Sequence, residues 1–387
     1  MKYIDEFREG RLARQIAANI MIEADSRRHY HFMEFCGGHT HAISRFGIVD
    51  LLPGNVHMIH GPGCPVCILP IGRVETAIQL TQIPKVILCS YGDLLRIPVR
   101  NGMSLIKAKA QGADVRMVYS CIDALKIAQD NPQHQVVFFA IGFETTTPPT
   151  AVAIQQARML GLNNFSVFCN HVLTPSAISH ILQSPEVREF GLVQLDGFVG
   201  PAHVSVVIGS RPYEYFAEEF QKSVVIAGFE PLDVMQAILM LIRQVNSGRA
   251  EVENEFTRAV MPDGNLKAQS LVAEVFELRR NFEWRGLGWV PYSALKIKST
   301  YGDFDAERRF PIAECSIDDN KACECGAILR GVKQPRDCKI FGTVCTPENP
   351  IGSCMVSSEG ACAAYYRYGR FRANNPMTAE NSCQQSI

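Results

Sequence analysis

From about residue 55 to 240 the chain repeats one pattern: a short β-branched or aromatic run, a polar loop with glycine or proline, then an amphipathic stretch of helical length. That alternation leaves few folds open. Short apolar runs joined by crossover helices suit parallel strands buried on both faces. Strands are expected near Val56–His60, Val86–Ser90, Val115–Ser120, Val136–Ile141, Phe165–Cys169, Gly197–Val199 and Val224–Ala227, enough for one large or two small sheets.

The polar loops all follow the carboxyl ends of these runs. They read Gly61-Pro62-Gly63-Cys64, Tyr91-Gly92-Asp93, Gly142-Phe143-Glu144-Thr145-Thr146, Asn170-His171, Gly200-Pro201-Ala202-His203 and Gly228-Phe229-Glu230-Pro231. Gly and Pro also make plain strand-to-helix turns, but ligands of open α/β sheets bind at that edge, so a shared cleft is expected. Ile141-Gly142-Phe143-Glu144 and Ala227-Gly228-Phe229-Glu230 nearly repeat, a hint of two related halves. Beyond about 245 the pattern turns helical and charged, with helices expected at Asn254–Val260 and Ala268–Arg279. After about 310 it gives way to a Cys/Gly/Pro-rich stretch, which suits a segment folded around metal. Residues 51–133 are expected to form a first α/β domain with the C-x2-C pair, 134–243 a second, and 244–387 a helical and metal-binding part.

At 387 residues and 47% hydrophobic content the chain can fill several cores, and its net charge of -1 argues against a nucleic-acid or anionic-membrane surface. The first residues, MKYIDEFREGRLARQIAANI, form an amphipathic helical pattern without a signal peptide's apolar core, so a cytoplasmic location is expected. The longest apolar run, Ser223 to Ile242, is broken by Glu230, Pro231 and Asp233, which fits a strand and helix, not a membrane span. No G-x4-G-K-[ST] loop is present, and nucleotide hydrolysis is not expected.

In a reducing compartment, fourteen cysteines point to metal or redox chemistry instead of a disulfide framework. Apart from the scattered Cys89, Cys121 and Cys169, they fall into two groups. In the later one Cys325, Cys338, Cys345 and Cys362 are separated by 12, 6 and 16 residues. Four thiolates satisfy a 4Fe–4S cluster or a structural zinc, and the lack of any C-x2-C pair after residue 67 favours iron–sulfur. Cys362 is expected in the first turn of a short helix. Cys315, Cys323, Cys354 and Cys383 are read as non-ligand thiols, although Cys323-Glu324-Cys325 can present either sulfur.

The earlier group is Cys36, Cys64 and Cys67. Cys64-Pro65-Val66-Cys67 lies between a strand and the helical run Gly72–Leu80; this spacing closes a disulfide or chelates a metal, and a helix N-terminus nearby favours the thiolate. Cys36-Gly37-Gly38-His39-Thr40-His41 adds a third thiol and two histidines beside a glycine pair that lets a ligand approach. If the fold unites them, three thiolates make a soft site for iron, or a dithiol with a resolving partner. Glu144 and Glu230 can reach the cleft as acid–base groups or ligands, or cap the helices that follow. His39, His41, His171 and His203 carry the same choice between chemistry and hydrogen bonding. Cys89, Cys121 and Cys169, in or beside apolar strands, are expected in the core.

Taken together, Cys36-Gly-Gly-His-Thr-His41, Gly61-Pro-Gly-Cys-Pro-Val-Cys67, Gly142-Phe-Glu-Thr-Thr146, the four later cysteines at their gaps, Asp5-Glu6-Phe7 and Met355-Val-Ser-Ser-Glu-Gly-Ala-Cys362 closely resemble the HypD family of hydrogenase maturation proteins. The resemblance implies two Rossmann-like parallel-sheet domains plus a mainly helical or irregular iron–sulfur domain built from the N- and C-terminal parts, with residues 1–50 as a helix and thiol loop packing on the latter. It implies a scaffold for the Fe(CN)2CO group of NiFe hydrogenases, working with a HypC-type chaperone and a HypE-type cyanide donor, with the hydrogenase large subunit as final recipient. Cys36, Cys64 and Cys67 would be the working thiols holding a transient iron, and Cys325, Cys338, Cys345 and Cys362 the ligands of a 4Fe–4S cluster. Some members carry a further cysteine where this chain reads Gly331-Val332-Lys333-Gln334. From a different functional class, a cluster-dependent protein disulfide reductase using Cys64 and Cys67 fits the same residues.

Overall fold

The computed structural model describes residues 4–185, 194–312 and 317–369. In chain order its strands are β1 (Tyr30–Glu34), β2 (Val56–His60), β3 (Val86–Ser90), β4 (Val115–Met117), β5 (Gln135–Gly142), β6 (Phe165–His171), β7 (Gly197–Gly200), β8 (Ser223–Ile226), β9 (Val252–Asn254), β10 (Phe276–Trp284) and β11 (Gly288–Ile297). The strands expected between residues 55 and 240 are all present. β4 stops short of Ser120 because Ser120 caps the helix Cys121–Asp130 in a reciprocal box with Asp123.

These strands form two parallel sheets and a hairpin, so the fold is α/β. One sheet has the order β2-β1-β7-β8-β9 and the other β4-β3-β5-β6. Every pairing within them is parallel. Both orders reverse: the chain steps from β1 to β2 and later returns to β7 on the far side of β1, and it steps from β3 to β4 and returns to β5 on the far side of β3. Such reversals open crevices at the carboxyl ends of the strands.

The sheets interleave along the chain, which corrects the expected division at residues 133 and 134. β3 and β4 join β5 and β6, whereas β2 joins β1, from the first fifty residues, and β7 to β9. The near-repeated strings end β5 and follow β8, one in each sheet. Parallel strands need long crossovers, and here one crossover between β2 and β7 carries the whole second sheet.

Three apolar clusters hold the molecule together. One, including Ile20, Tyr30, Phe32, Val225 and Ile238, lies under α1 (Gly10–Glu23) and the helix Pro231–Asn246 on the first sheet. A second, including Ile87, Phe138, Ile154 and Phe165, backs the second sheet. The third runs without a break from Met33 and Phe198 of the first sheet through Leu88 and Phe139 of the second to Trp284, Cys325 and Met355. The cysteine-rich segment is therefore part of the common core. No described helix is long and apolar enough to cross a membrane.

One expected helix is cut short and another does not form. Helix Leu266–Val275 ends where Ala268–Arg279 was to continue, and Phe276–Trp284 instead pairs antiparallel with β11. Phe276, Phe282 and Trp284 go into the core, and bridges from Val172 to Ala294 and from Val167 to Asp305 cover the open edge of β6. Tertiary pairing decides against the helical charge pattern. At Asn254–Val260, β9 leads into a single turn, closed by Val260 N–H to Phe256 O and by Asn254 Nδ2 to Val260 O.

Trp284 is fully buried and donates from Nε1 to Ser293 Oγ at 2.8 Å across the hairpin turn. Trp284→Ala is expected to destabilise the protein by about 3–5 kcal/mol, and Trp284→Phe by less, measured by urea denaturation.

Candidate thiol and metal centre

Cys36 stands at the crevice of the first sheet, two residues beyond β1, as N-cap of α2 (Gly37–Phe46). The loop after β2 comes up against it. Gly37 N–H donates to Gly63 O at 2.9 Å and Gly61 N–H to Glu34 O at 3.0 Å. A Cβ on Gly63 would lie 2.4 Å from Cys36 N, so only glycine allows this approach. Cys64 follows directly, capping the four-residue helix α3 (Pro65–Ile68), with Cys67 N–H donating to Cys64 Sγ at 3.3 Å. The structure thus brings the Cys36 loop against the Cys64/Cys67 turn, and α4 (Ile71–Thr81) follows at the expected helical run.

Burial pushes the Cys36 thiol up, with the Glu359 carboxyl adding to it, against the Gly38 and His39 amides that favour the thiolate. Cys64 and Cys67 are buried, and burial followed by contact with Cys354 pushes Cys67 up. Such thiols ionise when a cation takes the proton's place.

The two cysteine groups, far apart in sequence, meet in space. Ser353 Oγ donates to Cys67 O at 2.7 Å, and the Cys67 thiol faces Ser353 O at 3.9 Å. Cys354 is fully buried between them: hydrogen bonds from Cys325, Cys362 and Cys67 hold it well below the usual thiol range. Cys323 lies against Cys325, which pushes its own thiol up. A Cβ on Gly352 would lie 2.4 Å from Cys323 Sγ and 2.5 Å from Cys325 Sγ. Cys323 and Cys354, expected as bystanders, touch the predicted ligands; Cys315 and Cys383 fall outside the described residues.

Cys325, Cys338, Cys345 and Cys362 are all buried. Cys325 opens the helix Cys325–Leu329, and Cys338 follows the turn Pro335–Asp337. Cys345 Sγ accepts the Ile351 N–H at 3.4 Å, and Cys362 lies in the first turn of the helix Ala361–Tyr368, as expected. Among the described residues no three His, Cys, Asp or Glu side chains gather around a single ion. Of these four, Cys362 touches Cys325 and Cys354, and Cys345 faces Cys325; cysteine thiolates are the donors a four-iron cluster takes.

The predicted histidines divide. His39 is fully buried and its Nε2–H points to Ala227 O and Gly228 O, each at 3.0 Å, while Nδ1 has no partner among the described residues. Burial lowers its pKa. Phe229 packs between His39 and His203, with ring centroids 5.0 and 4.3 Å away. His41 meets the C-terminal segment, with Nδ1 3.4 Å from Ser358 O and its ring edge-on to Tyr368. His171 is a core residue bonded to Thr150 Oγ1 at 2.9 Å, and burial takes it down to about 4. Cys89, Cys121 and Cys169 are buried core thiols, as expected.

Both predicted acids cap helices. Glu144 accepts the Thr174 N–H at 2.8 Å at the start of the helix Thr174–Gln183. Glu230 caps Pro231–Asn246 and pairs with Arg8. The acids nearest Cys36 are ones the sequence reading passed over. Glu34 accepts Cys36 N–H at 3.0 Å. Glu359 packs on Gly37, where a Cβ would lie 2.5 Å from Glu359 Cβ, and burial beside Asp93 and Glu34 pushes its carboxyl up. The available signals were the Glu34-Phe35-Cys36 and Ser358-Glu359-Gly360-Ala361-Cys362 strings themselves.

A family profile described as "HypD: Hydrogenase formation hypA family" matches residues 11–369. The chain is 69% identical over 372 residues to the "Hydrogenase maturation factor HypD" of Cupriavidus necator, covering 96% of this chain and 98% of that protein. It is 68% identical to "Hydrogenase maturation factor HypD2" of Bradyrhizobium diazoefficiens, covering 98% and 100%. With the HypD of Escherichia coli it shares 44% identity, covering 95% and 98%.

Burial pushes Glu144 up to about 7 from an ordinary 4.5. The folded state therefore holds this proton more tightly than the unfolded chain, so the contribution is complete below the unfolded pKa and is lost as pH rises through the folded one. Relative to Glu144→Gln, the native protein is expected to lose of order 2–3 kcal/mol between about pH 5 and pH 8, measured by urea denaturation at both ends.

Proposed function

The chain belongs to the HypD family of hydrogenase maturation factors, and on that footing we propose that it is a NiFe hydrogenase maturation factor on which the Fe(CN)2CO group is assembled. The observation that carries this reading is the approach of the Cys36 loop to the Cys64/Cys67 turn at the reversal point of the first sheet. Iron bearing cyanide and carbon monoxide is the cargo. Soft thiolates suit it, and the apolar surroundings of Cys64 and Cys67 keep water away. Cys36 would supply the leading thiolate, helped by the first amides of α2.

Cys325, Cys338, Cys345 and Cys362 would hold a 4Fe–4S cluster. Its chemistry is one-electron storage and delivery. Cys354, in contact with Cys67 on one side and with Cys325 and Cys362 on the other, gives those electrons a short way to the thiol pair. In this reading the chain turns over no substrate of its own; it works in the cytoplasm, away from nucleic acid and membrane. It receives cyanide through a HypE-type partner and passes iron to a HypC-type chaperone bound for the hydrogenase large subunit.

The Cys67–Cys354 contact also favours a second reading, a cluster-dependent reductase: an external one-electron donor reduces the cluster twice, the Cys64–Cys67 disulfide takes these two electrons and two protons to give two thiols, and the thiols then reduce a protein disulfide and re-form the pair. Infrared spectra of anaerobically purified protein with its chaperone separate the two. Cyanide and carbon monoxide stretches are expected under the scaffold reading, and their absence favours the reductase.

Cys36→Ala is expected to abolish hydrogenase maturation while the brown cluster absorbance survives; normal maturation in that variant sinks the scaffold reading. Metal analysis of oxygen-free protein is expected to give about four irons per chain in the C-terminal site, and about one zinc there instead would make that site purely structural.

A further inference from the structure

Glu34 is an odd residue to end a central strand: its side chain is fully buried, and a buried carboxylate is costly unless well hydrogen-bonded. Its oxygens are engaged with three donors. Oε2 accepts Cys36 N–H at 3.0 Å, and Oε1 accepts His60 Nδ1–H at 2.8 Å and the Thr40 hydroxyl. Its own carbonyl accepts Gly61 N–H at 3.0 Å.

These partners belong to the parts that must be registered for Cys36 to face the C-x2-C turn. Cys36 and Thr40 lie in the first turn of α2, His60 ends β2, and Gly61 begins the loop that leads to Cys64. In a capping box the N3 side chain bonds the N-cap N–H, but N3 here is His39, whose Nε2 is committed to Ala227 and Gly228. The N-cap N–H is taken from upstream instead, by Glu34. The N-cap side chain is thereby left to be a cysteine.

We propose that Glu34, paired with His60, is the positioning residue of the thiol site: it clasps the Cys36 loop to the Cys64 loop and sets where the Cys36 sulfur stands. The effect on iron rests on the scaffold reading; the effect on Cys36 itself does not. Groups of this kind, one bond behind a metal ligand, change metal affinity by about 10–100-fold when altered.

The test uses the full chain purified without oxygen, as wild type, Glu34→Gln and His60→Gln. Glu34→Gln keeps the shape and an acceptor but not the charge. Its cluster absorbance is expected to stay at the wild-type level, while iodoacetamide alkylation of Cys36, followed by peptide mass spectrometry, speeds up about tenfold, one charged hydrogen bond's worth. Iron bound outside the cluster is expected to weaken about 10–100-fold. His60→Gln, at a partly exposed position, is expected to shift both readouts the same way by less, and serves if Glu34→Gln does not fold. Unchanged alkylation in the folded variants overturns the proposal. Loss of the cluster together with faster alkylation of every thiol also overturns it, since Glu34 would then only support the fold. Should wild type carry no iron outside the cluster, the scaffold reading fails while alkylation still decides the role of Glu34.

Discussion

The structure depends on the pairing of β1 with β2 on one side and β7 on the other. Because the strand order reverses there, no crossover helix blocks the carboxyl end of β1 and a crevice opens beside it. The loop after β1 carries Cys36, the loop after β2 carries Cys64, and β7 leads through Pro201 into the helix Ala202–Ile208, whose first turn carries His203. A helix thus begins after each strand, so backbone N–H groups gather at the same place. Parallel pairing brings these residues together before any side-chain contact is considered.

The strands and cysteine groups were legible in the sequence because they rest on local signals: apolar runs, glycine-containing turns and short spacings. β1 was not. Tyr30-His31-Phe32-Met33-Glu34 lacks β-branched residues and carries His and Glu, yet it is central because Tyr30, Phe32 and Met33 fill the cores on its two faces. With β1 unseen, the interleaving of the sheets was out of reach, since the register of Phe32 with Gly197 is a long-range fact. The hairpin from Phe276 to Ile297 was missed for a related reason: its pairing with β11 and its cover of β6 exist only once the second sheet is built.

Site residues followed the same rule. Cys36, Cys64 and Cys67 announce themselves by residue type, and so does the late cysteine group. Glu144 and Glu230 also looked chemical by type and loop, but Glu144 is spent on the N–H and hydroxyl of Thr174 at a helix start, and Glu230, at another helix start, on Arg8. The contact between Cys67 and Cys354 could not be read from spacing, because it joins positions 67 and 354 through the packing of α3 on the turn Ser353–Met355. What reads as two cysteine problems along the chain is one sulfur-lined region in space.

The interleaving also governs when the site can exist. β1 and β2 emerge early but cannot bury both faces until β7 to β9 and the helix Pro231–Asn246 arrive, and the thiol turn lacks its cover until Ser353 and Cys354 are in place. Long-range parallel pairing carries a large loop-closure cost that is repaid only late. In a chain arranged this way the Cys36 loop and the Cys64/Cys67 turn meet only through partners spread over the whole sequence. Cys67 and its cover therefore come from opposite ends of the chain, and neither is buried without the other.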